Sequence, residues 1–225
     1  MLIPSEITEL ESSLLGLCPV GLGSSCAPVD SVMPLACDLE QSSGWSDARI
    51  SEFSGGRSCA RQALAQIGFD GDAILVRNAE GIPVWPGGYM GSISHCRGLC
   101  MAVAGLSSSY PAIGLDLERT DRIKEGAARQ IVHQMEASFW SGDQLNASIL
   151  FSLKEAFYKA QFPRWGLDAG FQDMALEVDL AGGCARIIFL ADRLSDGLSG
   201  FSSDNFHFRF SLVGSYVLSI SWLNG

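Results

Sequence analysis

Lysine is nearly absent from this chain: three of its 225 residues are lysines, against twelve arginines. With 15 basic and 25 acidic residues, the formal net charge is −10. A general nucleic-acid binder needs a dense cationic surface to neutralise the phosphate backbone. The charge balance therefore excludes that class. The three lysines are Lys124, Lys154 and Lys159, and the last two are only five residues apart.

Features of secreted and membrane proteins are also missing. No apolar run approaches the roughly 18 residues that a membrane-spanning helix needs. The first 17 residues contain Glu6, Glu9 and Glu11 but no lysine or arginine, the reverse of a signal peptide. The seven cysteines are odd in number and scattered, which is more typical of reduced thiols than of a disulfide framework. We predict a cytoplasmic protein without a transmembrane segment.

Hydrophobic periodicity predicts a mixture of helices and antiparallel strands. The segment 1–44 shows weak periodicity and is predicted as short strands and loops, and 81–91 as an ordered loop. Helices are predicted over 47–67, 123–135 and 145–162. Strands are predicted over 73–77, 99–106, 112–118, 174–179, 185–190, 206–212 and 216–222. Long helices packed on antiparallel strands give the class α+β, in two halves over 1–110 and 111–225.

Two carboxylates lie on one predicted strand. Side chains alternate along a strand, so Asp116 and Glu118 project to the same face. Adjacent carboxylates repel unless a cation lies between them, and oxygen ligands suit Mg²⁺. A strand end whose acids face solvent beside Arg119 and Arg122 explains the same pattern, so the motif alone leaves both interpretations open.

Two of the three lysines lie on one predicted helix. Helical spacing places Glu155 and Lys159 on one face, and Lys154 with Tyr158 on another. An ordinary surface ion pair would give the same spacing. The scarcity of lysine elsewhere favours a functional role.

A third group of residues is suited to phosphate. Arg49, Arg57 and Arg61 surround a glycine pair, and Arg57 and Arg61 are one helical turn apart. Ser94 and His95 lie at a predicted junction of loop and strand, where a hydroxyl and an imidazole can hold an anion. A solvated helix face, a capping serine and a satisfied core histidine remain the alternatives.

The motifs occur in an order that resembles the Sfp/EntD-type 4′-phosphopantetheinyl transferases. They are Gly-Arg-x-Cys-Ala-Arg at 56–61, Gly-x-Pro-x-Trp-Pro at 81–86, Gly-Ser-Ile-Ser-His-Cys at 91–96, Gly-x-Asp-x-Glu at 114–118 and Lys-Glu-Ala-x-x-Lys at 154–159. The resemblance covers roughly residues 45–175, and Phe151, at a position that is often Trp in the Sfp branch, favours the EntD-like branch. It implies two pseudo-symmetric α+β halves with coenzyme A in the cleft between them. It also implies transfer of 4′-phosphopantetheine to a carrier-protein serine, with release of adenosine 3′,5′-bisphosphate.

The resemblance further implies roles for single residues. The carboxylates match a magnesium site, in which Asp116 and Glu118 are ligands and Glu155 is the third ligand or the general base. Asp116, Lys154 and Lys159 face the coenzyme, where the two lysines hold the diphosphate and stabilise charge on the transferred group. The 3′-phosphate contacts in the N-terminal half are Arg49, Arg57, Ser94 and His95. Tyr158 and Trp165 match pocket positions more weakly.

The resemblance leaves the partner and two other functions open. The carrier could belong to siderophore or other nonribosomal peptide, polyketide or fatty-acid synthesis, and the EntD-like character favours siderophores. A non-catalytic module that binds coenzyme A or a carrier protein is the main alternative, and a Mg²⁺-dependent phosphohydrolase is another. The chain also lacks the lysine that many relatives have near Gly81-Ile82-Pro83, which Arg77 could replace. A monomer is expected.

Overall fold

The computed structural model describes residues 4–225, and the chain divides into two units between Tyr110 and Pro111. The first unit contains, in its described part, α1 (Pro4–Leu17), β1 (Gly23–Pro28), α2 (Ala36–Gln41), α3 (Asp47–Gln66), β2 (Tyr89–Cys96) and β3 (Leu99–Leu106). Its antiparallel sheet has the order β1-β3-β2, and α3 packs across that sheet.

Helix α3 confirms the predicted helix over 47–67, and its glycine pair lies in the middle of the helix. A Cβ atom on Gly55 would lie 2.8 Å from Sγ of Cys100, and one on Gly56 would lie 2.7 Å from Cγ2 of Ile93. The two glycines therefore allow α3 to approach strands β2 and β3 closely.

Two predictions for the first unit are wrong, and the loop predicted over 81–91 is three residues too long because β2 begins at Tyr89. The segment 1–44 was expected to lack helices, but its described part contains α1 and α2, while residues 1–3 lie outside the described residues. Helix α1 is explained by Leu10, Leu14 and Leu17, which recur at helical spacing and are buried. The predicted strand over 73–77 forms a single bridge between Arg77 and Pro83, because proline has no N–H with which to extend a ladder.

The second unit, Pro111–Asn224, is built on a larger antiparallel sheet. Its elements are β4 (Ala112–Arg119), α4 (Glu125–Ile131), α5 (Ala137–Trp140), α6 (Gln144–Trp165), β5 (Met174–Asp179), β6 (Cys184–Leu190), α7 (Asp192–Gly197), β7 (Phe206–Val213) and β8 (Tyr216–Leu223). The strand order is β4-β8-β7-β6-β5. Helix α6 packs on β4 and β8, and Phe157 from this helix meets Phe206 and Phe208 in the core. The class α+β is confirmed.

Most elements predicted for the second unit are confirmed to within a few residues, but the helix predicted over 123–135 is interrupted. Helix α4 ends at Ile131, and a short 3₁₀ turn follows at Gln134–Glu136. Between them His133 is extended, and its Nδ1 atom accepts a hydrogen bond from the backbone N–H of Met135. The local cap therefore replaces the helical continuation.

Strand β4 approaches α6 at Gly114. A Cβ atom there would lie 1.8 Å from the carbonyl oxygen of Ala156, so this position requires glycine. Alternation along the strand places Asp116 and Glu118 on the same face as Gly114, which is the face covered by α6. None of the helices within residues 4–225 is long and apolar enough to cross a membrane.

Candidate active site

Asp116 on β4 and Lys159 on α6 form an ion pair in the second unit. The Nζ atom of Lys159 donates a hydrogen bond to Oδ1 of Asp116 at 2.7 Å. The carboxylate is buried, while the lysine remains partly exposed. A lysine predicted to hold phosphate is thus fixed beside a predicted metal carboxylate.

The second strand carboxylate, Glu118, is also buried and is held by the loop that follows it. Its Oε1 atom accepts a hydrogen bond from the backbone N–H of Arg119 at 2.7 Å. Its Oε2 atom accepts one from Nη1 of Arg122, whose side chain is mostly exposed. The prediction that Asp116 and Glu118 share a face is consistent with these contacts, and neither acid is simply solvated.

Glu155 lies in the same electrostatic neighbourhood. Burial is the main cause that raises the pKa of Glu155, and the charges of Asp116 and Glu118 raise it further. Lys159 and Arg122 act in the opposite direction and lower it. A carboxyl group with a raised pKa is better able to accept a proton near neutral pH than an ordinary glutamate.

The three predicted metal ligands do not form a ready-made metal centre. Among residues 4–225, no group of three or more His, Cys, Asp or Glu side chains is arranged to hold a metal ion. The positive charges near Asp116 and Glu118 are instead supplied by Lys159 and Arg122. The donor set still fits Mg²⁺ chemically, because all three side chains offer hard carboxylate oxygens.

Lys154 has a different environment from Lys159. Its side chain is only 2% exposed. Its Nζ atom donates to Oε2 of Glu136 at 2.8 Å and to the carbonyl oxygens of Ile131 and Phe171, both at 2.9 Å. Burial lowers the pKa of Lys154, while Glu136 raises it.

The structure therefore does not place Lys154 with Lys159 as a second diphosphate-binding lysine. Five residues correspond to a rotation of about 140° around an α-helix, so the two side chains leave α6 in different directions. An ammonium group has three donors, and in Lys154 all three are used inside the protein. Sequence reasoning missed Glu136, which belongs to no motif and lies 18 residues away.

A small cavity of about 230 Å³ lies beside Glu155 in the second unit. Lys154 and Tyr158 contribute to its wall, together with Phe157, Met174 and residues 168–171. Trp165 is not part of the described lining and instead packs edge-on against Phe201 and Phe206.

A second site is a pocket of about 490 Å³ in the first unit, lined by the predicted residues Arg49, Arg57 and His95. Arg57 is 6% exposed, and its guanidinium carbon lies 3.7 Å from the ring centroid of Phe53. Within the described residues, its Nε and Nη2 atoms have no hydrogen-bond partner. Unsatisfied donors on a buried cation are suited to an anionic ligand.

Burial makes the charged form of Arg57 less favourable than it is in water. Burial lowers its pKa to about 10, Asp38 raises it, and Arg77 and Arg61 lower it. Arg61 pairs with buried Asp38 at 2.9 Å and does not line the described pocket wall. Of the two arginines one turn apart, Arg57 therefore faces the pocket, and Arg61 is used in an internal ion pair.

His95 and Ser94 are separated by strand alternation. His95 lines the pocket with Ile93, and its Nδ1 atom lies 3.7 Å from Oε2 of Glu52. Ser94 is buried and is not among the residues described in the pocket wall, because its side chain leaves β2 on the opposite face. The structure therefore does not bring Ser94 to the same pocket as His95.

Trp45 completes this pocket and was missed at the sequence level, where no motif identifies it. The guanidinium carbons of Arg49 and Arg77 lie 4.3 and 5.0 Å from the Trp45 ring centroid. Arg77 also donates from Nε to the carbonyl oxygen of Gly81 at 3.3 Å. A tryptophan beside two arginines offers both an aromatic face and positive charge.

Comparisons with known proteins match the larger part of the first unit and nearly all of the second. Residues 41–105 match the model of the 4′-phosphopantetheinyl transferase N-terminal domain, and residues 112–220 match that of the 4′-phosphopantetheinyl transferase superfamily. The 4′-phosphopantetheinyl transferase PptT of Mycobacterium tuberculosis is 36% identical over 182 residues, which cover 76% of this chain and 78% of the relative.

More distant similarities were also found. The 4′-phosphopantetheinyl transferase Svp of Streptomyces mobaraensis is 30% identical, covering 68% of this chain and 66% of the relative. Enterobactin synthase component D of Escherichia coli is 31% identical, covering 56% and 60%. The crystal structure of holo-[acyl-carrier-protein] synthase from Thermotoga maritima shares 21% identity at a TM-score of 0.42, covering 51% of this chain and 64% of that one.

Proposed function

The chain belongs to the 4′-phosphopantetheinyl transferase superfamily and is an enzyme of that class. We therefore propose that it uses Mg²⁺ to transfer the 4′-phosphopantetheine group of coenzyme A to a serine of an apo carrier protein. The observation that carries the proposal is the Asp116–Lys159 pair next to Glu155. It combines a fixed cation, a buried carboxylate and a base of raised pKa in one place, which is what phosphoryl-group transfer requires.

In the proposed mechanism, the serine hydroxyl of the carrier attacks the β-phosphorus of coenzyme A. Glu155 accepts the hydroxyl proton, either directly or through a water. The bond from phosphorus to the leaving oxygen breaks, and adenosine 3′,5′-bisphosphate departs with the electron pair. Lys159 stabilises the negative charge that develops on the phosphate oxygens.

Asp116 and Glu118 would hold the Mg²⁺ ion, and Glu155 would act as the base in place of serving as the third ligand. The ion would neutralise diphosphate charge and polarise the phosphorus–oxygen bonds when bound. Because Asp116 is paired with Lys159, we propose that Lys159 turns from the carboxylate toward the diphosphate when coenzyme A and the ion bind.

The pocket of the first unit is proposed to hold the 3′-phosphate of coenzyme A. Arg57 supplies buried donors, and Arg49 and His95 add charge at the wall. Arg77 supplies the cation near Gly81 that many relatives provide with a lysine. Lys154 and Ser94 are left out of the proposed contacts because of their placement.

The carrier and cellular setting are also proposals. Similarity to enterobactin synthase component D favours a carrier of siderophore or other nonribosomal peptide synthesis over polyketide and fatty-acid carriers. We further propose a cytoplasmic monomer, because coenzyme A is a cytoplasmic metabolite and each unit has its own core.

The decisive experiment incubates the protein with coenzyme A, Mg²⁺ and a panel of apo carriers from peptide, polyketide and fatty-acid synthesis. Intact mass spectrometry should show a gain of one phosphopantetheine group on a carrier, together with adenosine 3′,5′-bisphosphate. Chelation by EDTA should abolish the gain, and added Mg²⁺ should restore it. Binding without any mass gain would favour the non-catalytic module, and free phosphopantetheine would favour a phosphohydrolase.

A further inference from the structure

We infer that Glu136 is a positioning residue for this enzyme: through Lys154 it fixes residues 168–171, which form one wall of the cavity beside Glu155. The catalytic consequence rests on the proposed function. The structural consequence, order in that wall, can be measured without it.

Lys154 joins helix α6 to three separate segments of the second unit. Its ammonium group donates to the carbonyl of Ile131 at the end of α4, to Glu136 in the 3₁₀ turn, and to the carbonyl of Phe171. Those acceptors are 23, 18 and 17 residues away along the chain. One side chain therefore sets the distance from α6 to each of them.

Glu136 determines the direction in which Lys154 points. Glu136 is 1% exposed, and its carboxylate also accepts hydrogen bonds from the backbone N–H groups of His133 and Leu176, each at 2.8 Å. Two backbone segments thus hold the carboxylate in place independently of the lysine. A buried network whose members are all satisfied has little freedom to reorient.

The segment that this network holds is irregular. Residues 166–170 form no helix or strand, so individual hydrogen bonds hold the wall, among them one from Nη1 of Arg193 to the carbonyl of Asp168. Gln161 donates to the carbonyl of Leu167 at 2.6 Å, and Lys154 donates to that of Phe171 at 2.9 Å. The Phe171 ring lies 5.3 Å from that of Phe151. Lys154 ties this end of the wall to α6, while the neighbouring Gln172 donates to the carbonyl oxygens of Gln130 and Val132. Without Lys154, the wall keeps its link to residues 130–132 but loses this link to α6.

The test compares Glu136→Gln and Lys154→Met with Glu125→Gln. The control removes a carboxylate that pairs with Arg129 at 2.7 Å on α4, where both side chains are exposed. Amide hydrogen exchange is followed at residues 168–171, and kcat and the KM for coenzyme A are measured on folded protein. Because misplacement by about 1 Å costs on the order of 10²-fold, we expect kcat to fall about 100-fold in both variants.

We also expect exchange at 168–171 to become at least roughly tenfold faster in both variants. Loss of the contact to the Phe171 carbonyl should loosen the turn from Gly170 to Asp173, in which the N–H of Gly170 donates to Oδ2 of Asp173. The KM for coenzyme A should stay within about threefold, because the Arg57 pocket is unchanged. The control should match wild type in all three measurements. Three results in the variants would each overturn the inference. They are exchange at 168–171 at the wild-type rate, a kcat within about threefold of wild type, and a change confined to KM.

If the single variants do not fold, the double variant Glu136→Gln/Lys154→Met decides, since it buries no unpaired charge. A wild-type kcat in the double variant would mean that the Glu136–Lys154 pair only stabilises the fold, and it would overturn the positioning role. Continued loss of kcat with fast exchange would support it. If wild-type protein transfers nothing, the proposed function fails, whereas the exchange measurement still tests the wall.

Discussion

Lys159 and Asp116 are joined by a hydrogen bond of 2.7 Å between Nζ and Oδ1, which links helix α6 to strand β4. Gly114, two residues before Asp116, allows this close approach because a larger residue would collide with the α6 backbone. The same pair fixes the position of a partly exposed lysine next to Glu155. Its surroundings distinguish it from Lys124, which is exposed, and from Lys154, which is buried.

Replacing Lys159 by methionine should lower kcat by about 10²–10³-fold, because it removes the cation that stabilises charge on the phosphate oxygens. Lys159→Arg should retain part of the rate. Lys124→Met is the matched control, since it removes an exposed lysine of the same unit, and it should transfer at the wild-type rate. Steady-state kinetics with coenzyme A and a carrier tests this. Normal kcat in Lys159→Met would remove this residue from the mechanism.

Replacing Arg57 by methionine should weaken coenzyme A binding while making the free protein more stable. The guanidinium donors without a partner cost about 1–3 kcal/mol when buried, so their removal should raise the free energy of unfolding by about 1 kcal/mol. Affinity for coenzyme A, measured by calorimetry, should fall by about 10–100-fold. Affinity for coenzyme A without its 3′-phosphate should be unchanged. An equal loss for both ligands would contradict the assignment of the 3′-phosphate to this pocket.

Arg61, one helical turn from Arg57, should respond in the opposite way: Arg61→Met should lower stability and leave coenzyme A affinity unchanged. It leaves buried Asp38 without its partner, so the free energy of unfolding should fall by about 3 kcal/mol. Coenzyme A affinity of the folded protein should stay at the wild-type value, because Arg61 does not line the described pocket. Urea denaturation and calorimetry on both arginine variants should therefore show opposite changes, and parallel changes would contradict their different placement.

Gly114→Ala should destabilise the second unit by about 3 kcal/mol, since its Cβ atom would lie 1.8 Å from the carbonyl oxygen of Ala156. The displaced helix would also separate Lys159 from Asp116 and reduce transfer. Gly126→Ala is the matched control, because nothing lies within 4 Å of a Cβ atom at that helical position. It should raise the free energy of unfolding by up to about 1 kcal/mol. Equal stability of the two variants would show that β4 and α6 are not in close contact.

The thiols should divide into two classes toward iodoacetamide at pH about 8, because the thiolate is the reactive form. Burial raises the pKa of Cys26 to about 12 and that of Cys59 to about 11, and it also raises the pKa of Cys100. Folded protein should be alkylated only at the four partly exposed cysteines, which are Cys18, Cys37, Cys96 and Cys184. All seven should react in denaturant, as peptide mass spectrometry would show. Rapid labelling of Cys100 in folded protein would contradict this.

The same shifts predict alkaline destabilisation. An unfolded thiol loses its proton near pH 9.0, whereas folded Cys59 and Cys26 keep theirs up to about 11 and 12. Between these values the folded state binds more protons, so the free energy of unfolding falls as pH rises. The thiol contribution is complete below about pH 9. The urea midpoint should therefore be lower at pH 10 than at pH 8, and the difference should be smaller in Cys26→Ala.

Local patterns were sufficient for the regular elements and for part of the site. The periodicity of α3 and α6 and the alternation of β7 predicted those elements closely, and alternation also placed Asp116 and Glu118 on one face. These properties depend on residues within a turn or two of each other. Helix α1 was not predicted because its three buried leucines are interspersed with serine and glutamate. Its burial also depends on β1, which lies later in the chain.

The motifs and their order were enough to predict the family and to identify the small set of cations available for chemistry. The role of each cation, in contrast, depends on contacts made by the folded chain. Lys159 pairs with Asp116, 43 residues earlier in the chain, whereas Lys154 pairs with buried Glu136. Trp45 lies against Arg49 and Arg77 in a pocket. The physical reason is that a lysine or arginine is assigned its role by the acceptors and rings around it, and packing brings those together from distant parts of the chain.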